Sequence, residues 1–180
     1  MILSSVIKIK SYEKIIYILR RHWITFFPYL LMFIFILLIP IAIYGLFAST
    51  FTSTMQNPIT YPLIILAGSA YYLSTFLFFY SFFTDFYLDI WIVTNDRLVD
   101  IRQISLFART IAEVDLYQIQ DITSEVHGLF QTVFNYGNIY LQTAGSVPKF
   151  IIYNVHQPDK LREEIIELAS ADKKYHAQQI

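Results

Sequence analysis

The first half of the chain has the hydrophobic pattern of a membrane protein. From His22 to Thr84, 63 consecutive residues contain no Lys, Arg, Asp or Glu. A charge at the centre of a membrane helix costs about 2.5–3.5 kcal/mol on insertion scales, so a charge-free run of this length is typical of lipid contact. One crossing needs about 20 residues, and a polar stretch at 49–58 interrupts the run. The pattern predicts a hairpin of two spans, at about 23–47 and 62–83.

Two features inside these spans predict how the helices pack. Pro40 lies within the first span and should kink it, with the freed carbonyl groups covered by the neighbouring helix. The second span carries a stripe of small residues at Gly68, Ser69, Ala70 and Ser74. Small residues let helices approach closely, so the stripe packs either against the first span, which we favour, or against another copy of the chain.

After Asp85 the pattern changes to the alternation of a β-strand. Short strands are predicted at 86–93, 97–104, 109–116, 118–126, 138–143 and 149–155, with a turn at Asn95-Asp96. Gly128 and Gly137 bracket an irregular or single-turn helical segment. We interpret Gly137 as a structural glycine, needed either for a positive φ or for a close approach. Short strands at this spacing predict an antiparallel sandwich or a partly open barrel.

The chain ends with a predicted helix. Pro158-Asp159 is a helix-start signal, and Leu161, Ile165 and Leu168 follow at helical spacing. This apolar stripe is expected to cover the open end of the barrel, while Glu164 is expected to be exposed. The polar tail at 171–180 is expected to fray.

The segment at 12–19, ahead of the first span, is open to two interpretations. It is mostly apolar and ends in Arg20-Arg21-His22, so it fits an amphipathic helix at the membrane interface. Its Ile and Tyr content equally fits a strand that joins the soluble domain, and we lean towards the strand.

The distribution of positive charge predicts the orientation. Residues 1–22 contain five basic residues and one acidic residue, whereas the loop at 48–61 contains no basic residue. The positive-inside rule therefore predicts that both termini are cytoplasmic. The expected location is the plasma (inner) membrane, as a multi-pass protein. The first apolar run is too long for a cleaved signal and lacks a small-residue exit, so it is expected to be retained. The predicted segments are 1–22, 23–84, 85–170 and 171–180.

The remaining composition excludes several classes of function. Residues 86–180 hold eight basic and twelve acidic side chains, which is poor material for binding nucleic acid. The chain has no cysteine, which excludes disulfides, thiolate metal sites and cysteine nucleophiles.

No catalytic or metal motif is present, and no cofactor or small-molecule substrate is expected. The four histidines at 22, 127, 156 and 176 lack ligand spacing, and His22 is interpreted as an interfacial residue. Asp85 and Asp89 lie four residues apart after the second span. A carboxylate pair can do acid–base work, but here we interpret it as a helix end that faces water.

Several strings of the soluble part resemble the bacterial pleckstrin-homology-like family, in the group built as a transmembrane hairpin followed by this domain. They are VTNDRLVDI at 93–101, FARTIAEVDLYQIQDIT at 107–123, GLFQTVFNYGNIYLQTAG at 128–145 and FIIYNV at 150–155. In addition, KIIYILRRHWITFFPYL at 14–30 resembles the segment that leads into the first helix in that group. NYG-x-x-x-x-QTAG is the most specific part. The sequence departs from the family at Asn138, where Asp is commoner, and at His156, where Pro is commoner.

The resemblance implies a fold and no active residues. The expected architecture is a membrane α-helical hairpin plus a small all-β or α+β domain, a PH-like barrel of two near-orthogonal antiparallel sheets capped by a C-terminal helix. In eukaryotic relatives of this fold, basic side chains around the first hairpin hold phosphoinositide headgroups. Arg97, Arg102 and Arg109 are the only basic residues of the first three predicted strands. Because acidic residues alternate with them, exposed cross-strand ion pairs are the favoured interpretation and headgroup binding the alternative.

The sequence therefore predicts a non-enzymatic, membrane-anchored interaction module. Its expected partners are the lipid bilayer and either another protein or a second copy of this chain. The alternative is a protein that binds or handles anionic lipid headgroups.

Overall fold

The structure, a computed structural model, describes residues 10–47, 57–144 and 149–177. The chain forms two compact units. One unit, from Trp23 to Thr84, contains a 3-10 turn at Trp23–Phe26, helix α1 at Phe27–Phe47 and most of helix α2 at Thr60–Leu88. We call this the helical unit and the other the soluble unit. The soluble unit contains β1 (Ile15–Arg20), β2 (Ile90–Thr94), β3 (Arg97–Ser105), β4 (Ala108–Asp115), a 3-10 turn (Leu116–Gln118), β5 (Ile119–Glu125), α3 (Gly128–Val133), β6 (Tyr136–Thr143), β7 (Lys149–His156) and α4 (Pro158–Ala177).

The segment before the first helix is a strand, which decides between the two interpretations left open by the sequence. β1 pairs antiparallel with β2, with Arg20 opposite Ile90, and the first sheet has the order β1-β2-β3-β4. The two strands are neighbours in the sheet although α1 and α2 separate them in sequence. Pairing with β2 satisfies the backbone groups of β1 within the soluble unit.

The first predicted strand begins four residues too early. Residues 86–88 continue α2, and β2 starts only at Ile90. The alternation there was weak evidence for a strand, because Tyr87, Trp91 and Val93 at the supposed polar positions are themselves large and apolar. The other five predicted strands and the turn at Asn95-Asp96 are present, and α3 occupies the predicted single-turn segment.

The second sheet has the order β5-β6-β7, and the two sheets do not close into a barrel. In the described ranges no strand of one sheet pairs with a strand of the other. The 3-10 turn at Leu116–Gln118 separates β4 from β5, and it places Leu116 fully inside the core. The architecture is therefore two antiparallel sheets with helices, more open than the predicted barrel.

One hydrophobic core lies between the sheets and under α4. Its members are fully or almost fully buried, and they include Trp91, Val93, Leu98, Val114, Leu116, Ile119, Ile139, Leu141, Phe150, Ile152 and Val155. From α4, Leu161, Ile165 and Ala169 complete this core, so the predicted apolar stripe is confirmed as a packing surface. Glu164 is only half-exposed and pairs with Tyr17, which corrects the expectation of a free surface residue.

The predicted frayed tail is wrong for residues 171–177, which are the last two turns of α4. Asp172 is buried and accepts a hydrogen bond from the backbone N–H of Tyr117 at 3.0 Å. Lys173 donates from Nζ to the carbonyl oxygen of Ile119 at 2.5 Å. Polar side chains here form hydrogen bonds with backbone groups of the 3-10 turn and β5. A hydropathy pattern does not distinguish such buried polar residues from residues that face solvent.

The helical unit contains two helices long and apolar enough to cross a membrane, at Trp23–Leu46 and Thr60–Leu88. Pro40 lies inside α1 and leaves the carbonyl of Ile36 without its helical donor. The hydroxyl of Tyr71 on α2 donates to that carbonyl at 2.8 Å, which confirms the predicted cover from the neighbouring helix.

The small-residue stripe is not the packing surface between the two helices. A Cβ built on Gly68 meets no heavy atom within 4 Å, and Ser69 donates back to the carbonyl of Ile65 in its own helix. The helices meet through aromatic pairs instead, such as Phe33 and Phe79 with ring centroids 4.0 Å apart. The favoured intramolecular role of the stripe is therefore wrong, and contact with another copy stays a prediction.

Candidate functional site

The structure separates the three candidate arginines. Because β1 precedes the helices, Arg97 and Arg102 lie at opposite ends of the third strand and Arg109 lies on the fourth. They are not the arginines of a first hairpin, since the first two strands are joined by α1 and α2. Arg97 is held by Glu13, whereas Arg102 and Arg109 lie near each other across β3 and β4, so headgroup binding by Arg102 and Arg109 stays a prediction.

Arg97 belongs to an ionic triad in which Arg97 and Glu13 are buried and Glu113 is exposed. Its Nε and Nη2 donate to the two carboxylate oxygens of Glu13 at 2.9 Å each, and its Nη1 donates to Glu113 at 2.5 Å. Hydrogen bonding to Glu13 raises the pKa of Arg97. Burial favours a higher pKa for Glu13, but the hydrogen bonds from Arg97 and from the backbone of Lys10 outweigh it and hold that pKa below its usual value. The expected cross-strand pair with Glu113 exists, but Arg97 is buried rather than exposed and ties residues 10–14 to the sheet.

Arg102 lies at the end of the sheet where the chain leaves β1 after Arg20 and re-enters β2 at Ile90, which we call the exit end. Its Nη2 contacts Asp100 at 2.8 Å, and its guanidinium lies 5.3 Å from the ring centroid of Tyr153 on β7. Arg109 is exposed near the tip of the β3–β4 hairpin, opposite Gln103.

Four charged residues, Arg21, Asp89, Asp100 and Arg102, form what we call the exit cluster. Arg21 contacts Asp89 at 2.5 Å, and Asp89 also accepts the backbone N–H of Gln103 at 2.8 Å. Asp89 is only 2% exposed. The interpretation of Asp89 as a helix end facing water is therefore wrong: its charge is compensated by Arg21 from the neighbouring strand end.

Asp100 is the least compensated member of the exit cluster. It is 6% exposed, and its Oδ1 has no hydrogen-bond partner in the described part of the chain. Burial raises its pKa, Arg102 opposes this shift and Asp89 adds to it. The Nε atoms of Arg21 and Arg102 are buried without an acceptor among the same residues. The cluster therefore offers polar atoms to a bound water or ligand, since buried polar groups are rarely left unpaired.

A cavity of about 350 Å³ adjoins the cluster, between the second half of β3, the first half of β4 and the start of β7. Its polar wall is formed by Asp100, Arg102, Thr110, Lys149 and Tyr153, and its apolar wall includes Ile104 and Ile151. The charge and the apolar wall suit a small amphipathic anion. Among the residues that the structure describes, the wall contains no His, Cys or Ser, and its reactive side chains are those of Asp100, Thr110, Lys149 and Tyr153.

Replacing Asp100 by Asn tests the electrostatics of this cluster. An acid with a raised folded-state pKa favours the folded protein most when it is protonated, below its ordinary pKa of 3.8, and that contribution is lost as the pH rises through the folded-state pKa. Asp100→Asn is therefore expected to raise the melting temperature at neutral pH and to flatten its decline as the pH rises from 3.8 through the raised folded-state pKa. A lower melting temperature at neutral pH would mean that the ion pair with Arg102 dominates.

His22 lies in an aromatic stack rather than alone at an interface. Its ring stacks on Tyr136 at 5.2 Å and on His156 at 5.5 Å, and its backbone N–H donates to the carbonyl of Asn154 at 2.7 Å. Burial, with the neighbouring His156, lowers the pKa of His22. These contacts fix the last residue before the helices to the start of β6 and the end of β7.

A possible metal-binding geometry lies at the opposite end of the soluble unit. Asp96, Asp172 and His176 place one ligand atom each within 4.8 Å of one another. Sequence reasoning missed this group because the β2–β3 turn and α4 are far apart in the chain. Lys10 already contacts Asp96 at 2.6 Å, and that hydrogen bond raises the pKa of Lys10. Lys10 thus bonds one carboxylate oxygen of Asp96, and the backbone of Tyr117 bonds one of Asp172.

No family model and no curated protein matches this chain. A solved structure with similarity is that of a DUF1696 family protein with a pleckstrin-homology domain from Shewanella loihica PV-4. The match covers 47% of this chain and 70% of that chain, with 17% identity and a TM-score of 0.36.

Proposed function

We propose that this chain is a non-enzymatic, membrane-anchored interaction module. In this proposal α1 and α2 span the plasma (inner) membrane, and both termini lie in the cytoplasm. The PH-like soluble unit binds a protein partner or a second copy of the chain.

The pairing of β1 with β2 is the observation that carries the membrane proposal. Arg20 and Ile90 are direct partners in the sheet, so the chain leaves the soluble unit and returns to it at the same place. A segment tethered in this way crosses a bilayer an even number of times. Both helices exceed the roughly 20 residues that one crossing needs, and neither has a buried hydrophobic face inside the protein.

The orientation is supported by charge. Lys8, Lys10, Lys14, Arg20 and Arg21 precede the first helix, and no basic residue lies in the loop between the helices. The positive-inside rule places such a basic segment in the cytoplasm. The soluble unit follows on the same side, because β1 and β2 belong to one sheet.

Labelling of single cysteines tests the orientation, since the natural chain has none. Ser53→Cys, in the predicted loop outside the described residues, is expected to react with a membrane-impermeant maleimide added outside intact cells. Ser170→Cys, exposed on α4, is expected to react only after the membrane is permeabilised. The reverse pattern would contradict the proposed orientation.

The interaction role is supported by the chemistry of the soluble unit. The buried charged groups described above are held in ion pairs, Arg97 with Glu13 and Arg102 with Asp100, as expected of structural residues. Purification of the full chain in mild detergent, followed by mass spectrometry of co-purifying chains and of the intact complex, tests for a partner. A strictly monomeric chain that retains no other protein would contradict the proposal.

Binding of anionic headgroups is the alternative, and the cavity at the exit end is the observation that favours it. Arg102 and Lys149 line this cavity, whereas Arg97 is buried elsewhere. Binding of a soluble phospholipid headgroup that is lost in Lys149→Gln would support this alternative over a protein partner.

A further inference from the structure

The β3–β4 hairpin extends past the point where the chain leaves the sheet. Ile101 on β3 is opposite Ile90, the first residue of β2, and β3 continues to Ser105. Four further strand residues span roughly 13 Å. The turn that follows therefore projects beyond the exit end of the sheet.

The side chains at this tip are apolar and exposed. Phe107 is 99% exposed and Ile104 is 62% exposed. Between Asp100 and Glu113 the hairpin contains no acidic residue, while Arg102 and Arg109 flank the apolar tip. Exposed aromatic side chains with arginines beside them match the chemistry of a lipid interface, where rings enter the headgroup region and guanidinium groups meet phosphates.

A second apolar projection, α3, lies at the same end. Leu129, Phe130 and Val133 are 75%, 67% and 67% exposed, and residues 128–137 contain no charge. Tyr136, three residues after α3, stacks on His22, the last residue before the helical unit. The short helix is thereby placed next to the site where the chain leaves the soluble unit.

The opposite end of the soluble unit has the reverse character. The β2–β3 turn and the 3-10 turn meet there, through a hydrogen bond from the N–H of Leu116 to the carbonyl of Asp96 at 2.9 Å. Asp96, Asp115 and Asp172 gather at this end, which we call the acidic end, and Lys10 pairs with Asp96 there. At the exit end, by contrast, the exposed Arg109 lies beside the apolar tip, where an anionic lipid surface would attract it.

We propose that the soluble unit docks its exit end on the lipid surface, with the β3–β4 tip and α3 both entering the bilayer interface. This inference rests on the proposed function, because spanning helices are what bring the exit end to the bilayer. The two projections then hold the unit in one orientation, and its acidic end and α4 face the cytoplasm. The occupant of the apolar surface is lipid rather than a second copy of the chain.

Site-directed spin labelling of the full chain in phosphatidylcholine–phosphatidylglycerol vesicles tests this orientation. Labels at Phe107→Cys and Phe130→Cys are expected to collide more with oxygen, which concentrates in lipid, than with a water-soluble nickel chelate. The matched control is Tyr175→Cys, an aromatic residue 59% exposed near the acidic end, which should show the opposite preference. A fourth label, Phe35→Cys in the middle of α1, reports on the membrane span itself.

The four labels separate failure of this inference from failure of the proposed function. If Phe35→Cys is lipid-exposed while either Phe107→Cys or Phe130→Cys behaves like Tyr175→Cys, the docking of that projection is wrong and the anchor stands. If the label at Phe35→Cys is exposed to the nickel chelate, the proposed membrane span is wrong, and the proposed docking on lipid is then wrong as well. Spin–spin broadening at residue 107 or 130, with shielding from both reagents, would identify a second copy as the occupant and overturn the lipid assignment.

Discussion

Ile165→Asp is expected to unfold the soluble unit of the protein. Ile165 is completely buried, between Leu161 and Ala169 on the face of α4 that completes the core. Removing a large buried aliphatic side chain costs about 2–5 kcal/mol, and a buried carboxylate without a partner adds a further penalty. The total approaches the whole stability of a small domain, which is about 5–15 kcal/mol.

The matched control for this variant is Ile166→Asp. Ile166 is the next residue of the same helix and is 37% exposed, so the same chemical change should have little effect. In a Trp23→Phe background, kept for every measurement of Trp91, the fluorescence of the fully buried Trp91 reports on the core of the full chain in detergent. Circular dichroism would be dominated there by α1 and α2. If Ile165→Asp keeps a blue-shifted Trp91 emission and a normal melting temperature, α4 is not a core element and becomes the first candidate for a partner site.

Gly137→Val is expected to destabilise the same unit by about 3 kcal/mol, the upper end of the range for overpacked cores. A Cβ built on Gly137 lies 2.4 Å from the carbonyl oxygen of Glu125, 3.0 Å from Val126 and 3.2 Å from Pro158. The nearest of these atoms belongs to the backbone of the paired strand β5, which cannot move without breaking the sheet. Of the two sequence interpretations of Gly137, close approach applies, whereas the positive φ belongs to Gly128.

Gly137→Ala distinguishes this explanation from a general preference for glycine. Because the clash involves the Cβ itself, alanine should already lose much of the stability, and valine should lose more. Urea denaturation followed by Trp91 emission measures each loss, and an unchanged midpoint for Gly137→Ala would refute the steric account.

Burial of Arg97 and exposure of Arg102 give the arginines different roles. Arg97 bonds Glu13 from the segment before β1 and Glu113 from β4, so it joins three parts of the soluble unit. Arg102 and Arg109 remain near the exit end, beside the apolar β3–β4 tip. In the proposed docking, Arg97 is a structural residue, Arg102 stays paired with Asp100, and the exposed Arg109 faces the lipid surface.

The sequence by itself determined the elements whose signal is local. The run without charged residues predicts the two apolar helices, because every charged side chain in a membrane-spanning segment is unfavourable in free energy. Alternation locates five of the strands, and the spacing of Leu161, Ile165 and Leu168 identifies the buried face of the last helix. These patterns are readable because each residue's burial depends on its position within one helix or strand.

Only the tertiary structure decided the features that depend on a distant partner. β1 is a strand because β2, which follows two long helices, supplies its hydrogen-bond partners. Asp89 is buried because Arg21 forms an ion pair with it, and Asp172 is buried because it accepts a hydrogen bond from the backbone of Tyr117. A hydropathy pattern cannot predict these partners. The exit end likewise joins residues from β1, β3, α3 and β7. Its apolar and charged groups form one surface only because the strand pairing brings these segments together.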